Sequence, residues 1–282
     1  MGLGLFWKER GPSSSQYLGT LKRKLAEQNF KISGPSRKGI GHGGTLDPFA
    51  EGWLLVGWDE GTKLLGALKG LSKTYVAEIY LGASTDTLDD TVTAEKWNQK
   101  LDLNEEKLKL FLKEKIGVTL QKPPLYSAKK VEGKSSYEAI RRGVELDLKP
   151  VSIEVFEAEH LGLIQETDEV WRWTVKLRVS AGTYIRAFAR DWAMELFGKT
   201  AFLSRLARVG YGSFCELSNE RDRIVSDNKE LSAFFDFVSD EKIHPQALAD
   251  RGHLLLDEQN QIRAAWLVDA ERWRYFTSNP LS

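Results

Sequence analysis

The sequence predicts an α+β fold, a mixed sheet flanked by helices, on three observations. Large apolar residues alternate with other residues along 74–81 and 171–179, the period-two signature of strands. Apolar residues recur at helical spacing in 15–28 and 104–116. The two kinds of segment intermingle without a strict strand–helix–strand rhythm, so the sheet is expected to be mixed rather than wholly parallel.

In chain order, residues 15–28 open on serines suited to helix capping and carry Leu18, Leu21 and Leu25. Residues 74–81 form a strand that Lys73 leads into. Residues 104–116 place Leu108, Phe111, Leu112 and Ile116 on one helical stripe. Residues 151–156 and 171–179 read as strands, and 185–197 has helical composition directly after the second of them. Around 213–222 a basic, aromatic character gives way to an acidic one. This sets the expected division, a domain over 1–214 with a basic insertion at about 119–150, and a short acidic C-terminal region over 215–282.

The chain has 282 residues, 41% hydrophobic and 11% aromatic, enough to bury a substantial core. Its longest apolar stretches, such as 53–58, fall far short of the roughly 20 residues that cross a bilayer, and 1–10 is too short for a signal peptide. Phe6 stands where a myristoylation motif wants Ser or Thr. A soluble, cytoplasmic protein without membrane association is expected. The single Cys215 excludes an internal disulfide, and four scattered histidines give no zinc spacing, so no metal is expected.

The formal net charge is zero, but the charge is segregated. Residues 1–42 hold eight Lys/Arg against two acids, and 176–208 hold seven against two. By contrast, 82–106 carry seven acids and two bases, and 215–260 carry eleven and five. A basic face for phosphates, with acidic segments turned away, fits this pattern.

Four segments carry chemistry. Gly41-His42-Gly43-Gly44-Thr45-Leu46-Asp47-Pro48-Phe49-Ala50-Glu51-Gly52 sets glycines around a histidine and ends in an Asp-Pro turn able to project a carboxylate. Lys73-Thr74-Tyr75 puts an aromatic that can stack on a base at a strand start, and Leu81-Gly82-Ala83-Ser84-Thr85-Asp86-Thr87 follows. Lys122-Pro123-Pro124-Leu125-Tyr126-Ser127-Ala128-Lys129-Lys130, with Arg141 and Arg142 beyond it, is suited to gripping a phosphate backbone. Gly182-Thr183-Tyr184-Ile185-Arg186 lies at a strand-to-helix junction, where an arginine can hold a carboxylate ionised, and Leu206-Ala207-Arg208 follows. Taken singly, each has an ordinary structural reading as a turn, a packed aromatic, a solvated loop or an ion pair.

Their order and wording together resemble the TruB family, the bacterial tRNA pseudouridine-55 synthases, over about residues 5–214. The family pattern runs G-H-x-G-T-L-D-P-x-A-x-G, K-x-Y with L-G-x-x-T-D-T, P-P-x-Y-S-A-x-K, G-T-Y-I-R and L-x-R. Gly43 stands where the family usually has Thr, and residues 8–13 match its Lys-Pro-x-Gly-x-Ser start loosely.

The resemblance implies the pseudouridine-synthase fold, a mixed and mostly antiparallel sheet flanked by helices, with a reduced PUA-like C-terminal region. It implies isomerisation of a T-loop uridine in tRNA, by a monomer, without cofactor. Asp47 would be the catalytic carboxylate, Arg186 its partner, and Tyr75 the residue that stacks on the base and takes part in proton transfer. His42 would fill the gap left by the flipped base, Tyr184 and Leu206 would line the uracil pocket, and Lys129 and Lys130 would grip the T arm. A non-catalytic RNA-binding protein on the same scaffold is the alternative. A phosphate loop is excluded, because Ala193 and Ala128 stand where its leading glycine must be before Gly198-Lys199-Thr200 and Gly133-Lys134-Ser135.

Overall fold

The computed structural model describes residues 2–27, 39–58, 62, 65–126, 130–131, 134–135, 148–211, 214–215, 255–256, 262–264, 266–269 and 272–275. Lys129 and most of the basic insertion lie outside the described residues, and Lys130 is described by its backbone alone. Most of 216–282 also lies outside them, so the expected boundary at 214 remains a proposal.

The helices are α1 (Ser14–Glu27), α2 (Leu65–Leu68), α3 (Glu105–Glu114) and α4 (Ile185–Phe197). The strands begin with β1 (Gly2–Lys8), β2 (Ile40–His42), β3 (Glu51–Trp58), β4 (Lys73–Leu81), β5 (Ala83–Ser84) and β6 (Glu95–Lys96). They continue with β7 (Gly117–Gln121), β8 (Lys130–Val131), β9 (Lys134–Ser135), β10 (Val151–Gln165), β11 (Trp171–Val179), β12 (Phe202–Tyr211) and β13 (Phe214–Cys215). Four short strands close the chain, β14 (Leu255–Leu256), β15 (Ile262–Ala264), β16 (Trp266–Asp269) and β17 (Arg272–Tyr275). The fold is α+β, its sheet mixed and mostly antiparallel.

The chain divides into two compact units, one of residues 1–73 with 208–282 and one of 74–207. In the first, β3 pairs antiparallel with β1, from Gly2↔Trp58 to Lys8↔Gly52, and with β2. Phe6, Leu21, Ile40, Leu54, Val56 and Trp58 form its core, with Tyr17 and Leu18 of α1 packed against it. The apolar stripe of α1 explains why that helix forms where serines can start it. The Ser13 side chain accepts from the Gln16 amide at 3.2 Å, and Gln16 accepts from the Ser13 amide at 2.8 Å, a reciprocal cap. Nothing in the sequence marks β3 as a strand, because residues 52–58 are buried without alternation, as in a strand covered on both faces.

In the second unit the strands run in the order β12–β4–β11–β10–β7, with β10 antiparallel to both β11 and β7. Phe111 of α3, Trp173 of β11 and Phe188 and Trp192 of α4 meet with ring centroids 4.7–6.3 Å apart. Asn104 caps α3, accepting from the Glu106 and Lys107 amides at 2.9 and 3.2 Å. Gly198 ends α4 in the left-handed conformation at φ 67°.

Two expected strands, 74–81 and 171–179, and two expected helices, 15–28 and 185–197, keep their bounds to within a residue. The strand expected over 151–156 instead continues to Gln165 against β11. Register shifts between Val155 and Glu157 and between His160 and Gly162 break the alternation that would have shown it.

Candidate active site

In the first unit the segment from Gly43 to Ala50, which carries Asp47, is tied down by its backbone at nearly every step. The Tyr211 hydroxyl donates to the Gly43 carbonyl at 2.5 Å, and the Gly43 amide donates to Leu55 O at 2.8 Å. Arg208 donates from Nη2 to Gly44 O at 3.1 Å and from Nε to Trp53 O at 2.7 Å. The Ser14 hydroxyl donates to Leu46 O and accepts from the Leu46 amide, each at 2.8 Å. Beyond the aspartate, Gly11 N donates to Pro48 O at 2.7 Å and Ala50 N to Asp47 O at 3.1 Å. Lys8 Nζ donates to Ala50 O at 2.7 Å and to Glu9 O and Pro12 O at 3.0 Å, so all three ammonium protons have acceptors.

Gly52 closes this segment for a steric reason. Its φ is +121°, and a Cβ there would lie 2.3 Å from the Arg208 carbonyl oxygen, so only glycine lets the two backbones meet.

Lys8 and Arg208 are buried, 0% and 1% exposed. Burial pushes the Lys8 ammonium down to about 8, with Arg208 acting the same way and Asp47, Glu51 and Glu9 opposing. His42 at the head of the segment is also held below its ordinary value, first by burial and then by Arg208 and Lys69, against the Gly44 backbone. Asp47 therefore sits on an anchored loop with the Lys8 ammonium in its electrostatic reach, and it stays partly exposed. Such preorganisation lets a carboxylate face a developing positive charge without first reorganising its surroundings.

In the second unit Arg186, 5% exposed on the first turn of α4, is held at both ends of its fork. Nη1 donates to Thr87 O at 2.6 Å and lies 3.4 Å from Asp89 Oδ2, while Nη2 donates to Tyr126 O at 2.8 Å. Asp89 is itself fixed, its Oδ1 accepting from Thr87 Oγ1 at 2.7 Å, from the Thr91 amide at 3.2 Å and from the Thr91 hydroxyl. One turn on, Arg190 Nη2 donates to Lys122 O at 2.7 Å, so two arginines of one helix face hold the 122–126 stretch.

Tyr184 is the N-cap residue of α4, and Gln121 brackets it by donating to its carbonyl at 3.1 Å and accepting from its amide at 2.8 Å. Tyr75 in β4 and Leu206 in β12 are 8% and 7% exposed.

The structure thus puts Asp47 and His42 on one segment of the first unit, and Tyr75, Tyr184, Arg186 and Leu206 in the second. The motifs did not reveal the anchoring roles of Lys8, Ser14, Arg208, Tyr211, Asp89 and Gln121. The loose match at residues 8–13 and the L-x-R spelling are the signals toward Lys8 and Arg208. Among the described residues no group of His, Cys, Asp and Glu is arranged to hold a metal ion, and no helix is long and apolar enough to cross a membrane.

The sequence model of the TruB family pseudouridylate synthase N-terminal domain matches residues 32–185. The tRNA pseudouridine synthase B of Campylobacter concisus is 39% identical over 207 residues, covering 73% of this chain and 70% of that protein. That of Campylobacter jejuni (strain RM1221) is 36% identical over 208 residues, covering 74% and 70%. That of Listeria monocytogenes serotype 4b is 31% identical over 299 residues, covering 99% of this chain and 94% of the relative. Among solved structures, a chain of a Cbf5–Nop10–Gar1 complex superposes with a TM-score of 0.54 at 27% identity, over 77% of this chain and 50% of that one. A chain of an H/ACA RNP bound to a substrate RNA containing 2'-deoxyuridine shares the fold, with a TM-score of 0.51 at 24% identity over 77% and 49%. This chain therefore spans about half the length of these structural relatives.

Proposed function

Because this chain belongs to the TruB family of pseudouridylate synthases, we propose that it isomerises one uridine of tRNA to pseudouridine, in the T loop. The observation that carries the reading is the Asp47 segment, where the family's longest motif coincides with a loop anchored from β1, α1, β3 and β12.

The reaction breaks the bond from uracil N1 to C1′, turns the base and joins C5 to C1′, and the C5 proton moves to N1 without change of oxidation state. The nucleotide must first leave the stack. Asp47 acts on the sugar, as a nucleophile at C1′ or as the charge and base that serve an elimination route; both use the same carboxylate. Arg186, its fork held by Asp89 and the Thr87 and Tyr126 carbonyls, supplies a fixed guanidinium to the reaction. Tyr75 stacks on the target base and shares in removing the C5 proton. His42, kept neutral by its cationic and buried setting, fills the gap the base leaves. Tyr184 and Leu206 line the uracil pocket, and Lys129 and Lys130 grip the T-arm phosphates. The protein works as a cytoplasmic monomer, without cofactor or metal.

The decisive experiment maps pseudouridine in tRNA from cells lacking the protein. Loss of the T-loop mark, restored by the wild-type chain and not by Asp47→Asn, is the expected result. A retained mark in the deletion strain overturns the assignment.

A further inference from the structure

Gly43, where the family pattern usually has Thr, leaves room that another side chain occupies. A Cβ on Gly43 would lie 2.7 Å from the Tyr211 hydroxyl oxygen and 3.0 Å from Leu55 Cδ2. The first distance is below what real Cβ contacts show, so the tyrosine or the loop would have to shift. The ring has little freedom to retreat. Tyr211 is 1% exposed, Lys73 Nζ stands 4.6 Å from its centroid and Arg208 Cζ 5.6 Å away. From this position the hydroxyl donates to the Gly43 carbonyl at 2.5 Å, one residue from His42 and four from Asp47.

We propose that Tyr211 is a positioning residue for the Asp47 loop: its hydroxyl takes the volume of the missing side chain at 43 and holds the loop by its backbone. Loop and strand are thereby a matched pair, glycine on one and tyrosine on the other. Tyr211 touches no reacting atom in this role. It sets where the segment bearing His42 and Asp47 begins, while Ser14, Gly11 and Lys8 set where it ends.

The catalytic part of the test rests on the proposed pseudouridine synthase activity, and the structural part does not. Tyr211→Phe, Gly43→Thr and the double variant are made in the full chain. Each is assayed well below its melting temperature for kcat and KM on tRNA, and by hydrogen–deuterium exchange of the peptide spanning 41–52. Tyr211→Phe keeps the ring and its cation contacts, so the chain folds. It should lower kcat by about tenfold with KM within about twofold, and speed exchange in that peptide. Gly43→Thr should lower kcat by roughly thirtyfold. The double variant, in which the new Cβ no longer meets a hydroxyl, should be no worse than Gly43→Thr alone. Wild-type kcat and exchange in Tyr211→Phe, or a double-variant loss equal to the product of the single losses, overturns the proposal. A wild-type chain that makes no pseudouridine sinks the functional reading instead, and the exchange data then decide the positioning role by themselves.

Discussion

Each unit of this protein buries positive charge beside a residue of the proposed reaction, but the two spend it differently. In the first unit, Lys8 and Arg208 direct every described hydrogen bond to a backbone carbonyl, two of them, at Gly44 and Ala50, on the Asp47 segment itself. In the second, Arg186 meets a buried carboxylate as well as carbonyls. Carbonyls are indifferent to sequence and cannot be neutralised, so the first arrangement fixes a shape. The Arg186–Asp89 pair fixes an orientation and a charge, and it is exposed to the cost of an unpaired partner when either member is removed.

Four substitutions test this contrast, from the largest expected effect downward. Asp47→Asn leaves the backbone anchors described for its loop in place, so turnover should fall by roughly four orders of magnitude while tRNA affinity stays within a few-fold. Filter-binding and single-turnover assays measure the two separately, and measurable product from a clean preparation removes Asp47 from the chemistry. Lys8→Met takes this donor from the buried Ala50 carbonyl and from the part-buried Glu9 and Pro12 carbonyls, and should cost about 3 kcal/mol of stability in urea unfolding. Because the folded chain releases this proton near pH 8 and the unfolded chain near 10.5, wild-type stability should rise over that window, and the variant should lack the slope.

Arg186→Lys keeps the charge but cannot serve Thr87, Asp89 and Tyr126 together, so kcat should drop about a hundredfold, or ~2.7 kcal/mol. A rate near wild type makes Arg186 a structural cation, and the buried charges of the two units then serve the same purpose. The smallest effect belongs to His42. Its pKa is depressed in the fold, so the unfolded chain takes up a proton first, and stability is lost as pH falls through the ordinary value of 6.5. His42→Gln should flatten that acid limb in thermal melts recorded from pH 7 to 5; an unchanged limb assigns it to other groups.

The candidate residues and their supports differ in how far they could be read from the chain. Asp47, Tyr75 and Arg186 stand in spelled motifs, because chemistry restricts the residue type and the spacing. Asp89 could not be told from Asp86 and Asp90 beside it. Its burial is decided by the Asp89↔Leu203 bridge and by its place against Arg186. Gln121 stands in none of the motifs, yet it spans 63 positions to hold the Tyr184 backbone. Likewise β3 and the far half of β10 carry no readable alternation, the one because residues 52–58 are all buried, the other because two bulges reset its phase.

By itself the sequence determined the α+β class, the helices and strands with clean periodicity, the family, and the candidate residues of the proposed reaction. Those features depend on side-chain identity and on separations of a few residues, which a linear reading retains. Only the tertiary structure decided that Lys8, Ser14, Arg208 and Tyr211 converge on the Asp47 loop, from positions as far as 168 residues away. Their acceptors are mostly peptide carbonyls, alike at every position, so nothing in the composition of the loop names the side chain that will reach it.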